Sequence, residues 1–303
     1  MKNVLITGGS GLLGLNWTVS IRNKFDVTLG LHKKNVSITG VSSRLLNIEN
    51  NHDLKESVDK LKPEIIIHTA GLTNIEQCEA KPELARKINV DLARNLAKEC
   101  AQRDIIFVHI STDNLFSGCK ALATEATVPN PVNEYGRSKA LAEKSVLDVN
   151  PDALVIRTNF YGWGPSYRRS FSDTIVNRLK AQDELNLFED VFYTPILIEP
   201  LVSVVHDLIK LNANGIFNVV ADEQLSKYEF GLMLARLFKL DSGLIKPSRL
   251  SEQTGLVRRP NEMGLSNKKV SDLLGRRIGG VKEHIARLIE QEKSGFAKEI
   301  IEL

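Results

Sequence analysis

Apolar positions in the first half of the chain fall into short runs bounded by turn residues, with amphipathic stretches between them. Residues 4–6, 27–31, 65–68, 105–111 and 153–157 are continuous β-rich apolar runs, and residues 12–23, 53–61, 82–102 and 134–149 carry apolar side chains at helical spacing. A strand buried on both faces reads as an uninterrupted apolar run, and helices between such runs supply the crossovers of a parallel sheet. The pattern predicts an α/β fold, a Rossmann-type doubly wound parallel sheet, up to about residue 157.

Beyond that point the pattern changes. Gly162, Gly164 and Pro165 punctuate a loop, and Pro195 and Pro200 bracket a second irregular stretch. Residues 201–211 read as a helix and 215–220 as a strand returning to the sheet. Ser226-Lys227-Tyr228-Glu229 has the spacing of a capping box ahead of the amphipathic run 230–240. A last helical pattern begins at Val281, with Ile285, Leu288 and Ile289 on one face. The expected plan is a nucleotide-binding domain of residues 1–157 plus about 200–221. A smaller α/β substrate domain follows, made of residues 158–199 plus 222–303.

Composition narrows the function. Forty Lys+Arg against 37 Asp+Glu give a net charge of +3, a balance that argues against a dedicated nucleic-acid binder. No apolar run approaches the roughly 18 residues of a membrane span. The apolar start stops at Thr7-Gly8-Gly9, too soon for a signal peptide, so the cytoplasm is the expected location. Cys78, Cys100 and Cys119 lack C-x-x-C spacing, which points to a reducing compartment and no metal site.

Directly after the first run comes Thr7-Gly8-Gly9-Ser10-Gly11-Leu12-Leu13-Gly14. Glycines at this spacing make the tight turn, let a pyrophosphate approach the backbone and let the helix pack on the strand, while the helix N-terminus offers N–H donors. A Gly-rich turn with no ligand has the same spacing, but its place between a strand and a helix favours a dinucleotide. The second strand is followed by His32-Lys33-Lys34, and no carboxylate occurs from residue 27 to 48. A carboxylate there would hold a ribose 2′-hydroxyl; two lysines suit a 2′-phosphate, so NADP(H) is expected over NAD(H).

Tyr135 and Lys139 stand at i and i+4, on one helix face. A free phenol has a pKa of about 10, and moving it to about 7 takes roughly 4 kcal/mol of preferential stabilisation of the phenolate, which a nearby ammonium supplies. The strand 105–111 ends in Ser111-Thr112, where open α/β sheets bind ligands. A hydroxyl there can donate to a carbonyl oxygen that gains charge during hydride transfer.

Together, residues 7–14, 111–118 and 135–139 resemble the extended short-chain dehydrogenase/reductase family, and more narrowly its dTDP-4-dehydrorhamnose reductase group. Residues 62–73, 85–89, 157–162, 191–195, 258–260 and 265–269 extend the likeness over about residues 1–275. The resemblance implies NADPH-dependent reduction of a 4-keto nucleotide sugar, with Tyr135 as acid, Lys139 tuning it and holding the nicotinamide ribose, and Thr112 polarising the carbonyl. It further implies that Gly8, Gly11, Leu12, Leu13, Gly14, His32, Lys33, Lys34, Asn47, Ile48, Thr69, Ala70, Gly71, Asn89 and Ser111 surround the cofactor. Asn114, Phe160, Tyr193 and Arg259 are the implied substrate contacts.

Two positions depart from the family pattern. Asn114 stands where the family has tyrosine, and Leu46-Asn47-Ile48 lacks the family's acid near the adenine. A second reading is a non-catalytic NADP-binding regulatory subunit, as in methionine adenosyltransferase, and a third is an epimerase or dehydratase of the same superfamily. The expected partner is a nucleotide sugar, with no nucleic acid or membrane; a homodimer is compatible with the sequence. The six histidines show no ligand spacing, and His68 and His109 read as packed. Arg168-Arg169 reads as a solvated loop pair.

Overall fold

The computed structural model describes residues 1–47, 50–118 and 121–303. Its organising element is a seven-stranded parallel sheet. Six strands come in chain order as β1 (Asn3–Thr7), β2 (Asp26–Leu31), β3 (Ser42–Leu45), β4 (Ile65–His68), β5 (Ile106–Ile110) and β6 (Leu154–Arg157). Gly215–Asn218 returns to pair with β6. Across the sheet the order is Gly215–Asn218, β6, β5, β4, β1, β2, β3. The chain therefore reverses direction between β1 and β4, and a crevice opens at their carboxyl ends.

The apolar runs form strands because both faces are covered. All four residues of β4, Ile65, Ile66, Ile67 and His68, are buried. One apolar cluster lies on each side of the sheet; the larger continues into the C-terminal part of the chain. The helix Leu12–Ile21 sits inside that larger cluster, where Trp17 Nε1 donates to His206 Nε2 at 3.1 Å.

The structure differs from the sequence pattern in three instructive places. The edge strand β3 has no apolar signature, because Ser42, Ser43 and Arg44 face solvent or lie half-buried. The single helix expected over residues 82–102 is instead Pro82–Arg86, a π-helical turn Lys87–Asp91, and Leu92–Ala101. The helix expected from residue 201 begins at Ile198, with Pro200 in its first turn, where a missing N–H costs nothing.

The capping box forms: Glu229 N donates to Ser226 Oγ and Ser226 N to Glu229 Oε2, opening the helix Lys227–Phe238. Phe230 of that helix packs against Tyr161, Tyr193 and Phe171 at ring-centroid distances of 5.0, 5.9 and 6.0 Å. Of these four rings only Phe171 lies along the crevice; Tyr161, Tyr193 and Phe230 are buried. Among the described residues no helix is long and apolar enough to cross a membrane.

Candidate active site

A cleft of about 1110 Å³ opens over the carboxyl ends of the strands. The glycine turn, the segment after β4 and the end of β5 form one wall, and Phe160 with residues 167–171 forms the other. Gly8 has φ +71°, and a Cβ there would lie 2.7 Å from Ala70 N. A Cβ on Gly14 would lie 2.7 Å from the Gly8 carbonyl oxygen. Gly11 N donates to Gly8 O at 2.8 Å, closing the turn, and Gly11 then opens the helix without a side-chain cap. Gly8, Gly11, Leu12 and Leu13 line the cleft, whereas Gly14 serves the packing beneath it. Bare backbone and uncapped helical N–H groups make a cradle that a pyrophosphate fits.

Thr69, Ala70 and Gly71 continue the same wall, with Thr69 Oγ1 donating to Thr7 O at 2.7 Å. His32, Lys33 and Lys34 line the cleft beyond β2, and Lys34 Nζ stands 3.5 Å above the Tyr167 ring. Asn47 is not part of the cleft lining; its exposed amide donates to Asp53 Oδ2 at 2.6 Å. Ile48 lies outside the described residues.

The helix Glu134–Val149 carries the tyrosine and the lysine. Asn133 caps it, its Oδ1 accepting from Gly136 N at 2.9 Å, which places Tyr135 in the first turn. Gly136 lets the Asn114 main chain press against that turn, since a Cβ there would collide with the Asn114 carbonyl oxygen. Sequence spacing alone did not single out Gly136; a glycine between the two chemical residues of a helix is the signal.

Lys139 is 6% exposed, and its Nζ donates to Ile110 O at 2.6 Å and lies 3.3 Å from His109 Nε2. Burial holds its ammonium down to about 8, against a favourable field from Glu143. Burial likewise pushes the Tyr135 phenol up to about 12, with a hydrogen bond to Thr112 pulling the other way. The lysine is thus anchored to the end of β5, one helical turn from a phenol that is protonated at neutral pH.

Thr112 completes the group. It is 5% exposed; its Oγ1 lies 3.3 Å from Asp113 Oδ1 and accepts from Asn114 N at 3.3 Å. Asp113 is held by Asn159 Nδ2 at 2.5 Å and Asn114 Nδ2 at 2.8 Å, and burial raises its carboxyl above the usual range. Ser111 N donates to Ile156 O at 2.7 Å, tying the end of β5 to β6. Asn89, 1% exposed in the π-helical turn, accepts from Leu72 N at 2.7 Å and donates to Leu72 O and Ser138 Oγ. Its polar atoms are spent on positioning the wall.

Of the expected substrate contacts, Asn114 and Phe160 line the cleft, while Tyr193 and Arg259 do not. Tyr193 is 3% exposed against Phe230 with Lys227 over its ring, and Arg259 pairs with Glu76. Arg168 and Arg169 are exposed, as read, yet both line the cleft, and Arg168 Nη2 donates to Thr73 Oγ1 at 3.1 Å. Tyr167 OH donates to Ser10 O at 3.2 Å beside them. On sequence a diphosphate contact is the lesser of two readings of this arginine pair; the pair's place at the cleft depends on a loop folding back across the glycine turn.

Residues 1–294 match the family model described as RmlD substrate binding domain. The chain belongs to that family. The likeness carried by residues 7–14, 111–118 and 135–139 therefore holds across nearly the whole chain. The chain is 29% identical over 259 residues to a dTDP-4-keto-6-deoxy-D-glucose reductase of Streptomyces niveus, covering 84% of this chain and 85% of that protein. It is 28% identical over 297 residues to methionine adenosyltransferase 2 subunit beta of Mus musculus, covering 94% and 87%. The solved dTDP-4-dehydrorhamnose reductase of Bacillus anthracis, a complex with NADP, superposes with a TM-score of 0.86 at 26% identity, over 96% of this chain and all of that one.

Proposed function

We propose that the protein reduces a 4-keto nucleotide sugar with NADPH. The observation that carries this reading is the meeting, in one cleft, of the glycine cradle with Thr112, Tyr135 and Lys139. The cradle at Gly8, Gly11 and the helix N-terminus would hold the pyrophosphate, and Lys33 and Lys34 the 2′-phosphate. When bound, a reduced nicotinamide supplies the hydride.

The chain's own residues do the rest. Tyr135, protonated at neutral pH, gives its proton to the substrate oxygen as negative charge develops there; an alkoxide is a far stronger base than a phenolate, so the transfer runs downhill. Thr112 donates to the same oxygen, exchanging its long 3.3 Å contact with Asp113 for a better acceptor. The Lys139 ammonium, fixed on Ile110 O, stabilises the phenolate left behind. The lobe of residues 158–199 and 222–303 would take the sugar nucleotide through Phe160, with Asn114 across the cleft.

The test is incubation with NADPH and a dTDP-linked 4-keto-6-deoxy sugar. Expected are loss of the reduced nicotinamide absorbance and a sugar product heavier by two hydrogens. An NADPH-binding protein with no turnover on a panel of dTDP- and UDP-linked keto sugars contradicts the reading. Similarity to methionine adenosyltransferase 2 subunit beta over 94% of the chain is the observation behind a second, less supported reading, a cofactor-holding subunit of another enzyme. A stoichiometric enzyme partner on purification would support that alternative.

A further inference from the structure

Two histidines lie behind the site without a part in this chemistry. His68 ends β4, His109 lies beside it in β5, and both are 1% exposed. Their rings stack at 5.5 Å with an interplanar angle of 25°. Thr7 Oγ1 lies 2.7 Å from His68 Nδ1, and Lys139 Nζ lies 3.3 Å from His109 Nε2. The row Thr7, His68, His109 crosses the adjacent strands β1, β4 and β5 and stops at the lysine.

An ammonium offers three N–H donors and no lone pair, so His109 Nε2 accepts and the imidazole proton resides on Nδ1. Ile110 O and His109 Nε2 take two of the three donors, which fixes the direction of the third. A carboxylate at position 109 would hold the lysine and neutralise it, and an apolar side chain would leave the ammonium loose. A neutral imidazole holds without neutralising.

We propose that His109, backed by His68 and Thr7, is a positioning residue for Lys139, a neutral acceptor that aims the remaining ammonium donor into the cleft and leaves its charge uncompensated. The catalytic consequence rests on the reductase reading; the hydrogen-bond geometry does not. The other charged and titratable groups facing Lys139 are already engaged. Glu143, one turn on along the same helix, is bound through both carboxylate oxygens by Arg157 of β6. Asp113, beyond the end of β5, is held by Asn159 and Asn114. Tyr135, one turn earlier, keeps its proton. Burial holds His68 down to about 3 and His109 well below the imidazole range, so both rings stay neutral where the lysine is charged.

The test begins with imidazole ¹⁵N spectra of the wild-type protein, which need no substrate. The expected result is a His109 with bare Nε2 and protonated Nδ1, whose Nε2 resonance moves once near pH 8 as Lys139 titrates, and does not move in Lys139→Met. A protonated Nε2, or a resonance indifferent to Lys139→Met, overturns the proposal, and this holds even where position 109 variants fail to fold. In turnover, His109→Leu is expected to lower kcat about tenfold with the keto-sugar KM within about twofold, and to move the alkaline limb of kcat down by about one pH unit. His109→Gln, which keeps an acceptor, is expected to recover kcat to within about threefold of wild type. A folded His109→Leu with wild-type kcat and an unmoved limb also overturns it. Absence of turnover in the wild-type protein defeats the reductase reading alone, because the spectra still decide the role of His109.

Discussion

Asn89 Nδ2 donates to Ser138 Oγ at 2.9 Å, and this bond joins the π-helical turn Lys87–Asp91 to the helix that carries Tyr135 and Lys139. The same amide clamps both main-chain polar groups of Leu72. Asn89 thus sets the distance between the wall after β4 and the chemical helix. Asn89→Ala strands these buried groups and is expected to cost about 2–3 kcal/mol of stability. Urea unfolding reads the loss; a change below about 0.5 kcal/mol would show that the clamp is dispensable.

A second buried device stands one turn beyond Lys139. Arg157 and Glu143 form an ion pair with side chains 2% and 3% exposed. Removing one partner strands a charge in the core, so Arg157→Met alone is expected to cost about 3–5 kcal/mol. Glu143→Leu combined with Arg157→Met is expected to recover most of that loss, since an apolar pair removes the stranded charge. Equal unfolding midpoints for the single and double variants would contradict this account.

The glycine turn was legible because its demands are local. A positive φ at Gly8 and the close approach of Gly14 to the Gly8 carbonyl both follow from the sequence spacing after a strand. Lys139 and Tyr135 were legible for the same reason, sharing one helix face. What spacing cannot convey is long-range geometry. Asn89 enters the sequence reading only through the resemblance, as a residue around the cofactor; spacing does not show that the π-turn aims it at Leu72 and Ser138. Tyr193 and Arg259 read as site residues by resemblance; neither is in the cleft lining of this structure, where Tyr193 packs on Phe230 and Arg259 pairs with Glu76. Arg168 reaches the cleft only because its loop folds back to Thr73.

The cradle makes its own prediction. Gly8→Ala forces an L-residue into φ +71° with its methyl 2.7 Å from Ala70 N, and Gly14→Ala presses a methyl onto the Gly8 carbonyl. The conformational term alone is about 1–2 kcal/mol. NADPH affinity, followed by nucleotide fluorescence, is expected to fall about tenfold or more in either variant. Undiminished affinity in Gly8→Ala would place the dinucleotide elsewhere.

Buried neutral histidines set the acid limit of stability. Burial holds His68 down to about 3 and His206 down to about 4, while the unfolded chain takes up these protons near 6.5. Below that ordinary value the unfolded state binds more protons than the folded one, so the histidines favour unfolding progressively as pH falls from 6.5 toward 3. The limit of the effect is about 3–5 kcal/mol per group. His206 accepts from Trp17, so tryptophan fluorescence during urea unfolding at successive pH values reports the change. A midpoint unchanged from pH 7 to pH 4 would contradict it.

In the proposed carbonyl reduction the Tyr135 phenol supplies the proton. Comparing wild type with Tyr135→Phe, with NADPH and a dTDP-linked 4-keto-6-deoxy sugar, isolates that proton, because phenylalanine keeps the ring and removes only the hydroxyl. The expected result is a fall in kcat of about 10²–10⁴-fold with NADPH affinity unchanged. Wild-type turnover by the phenylalanine variant would contradict the account.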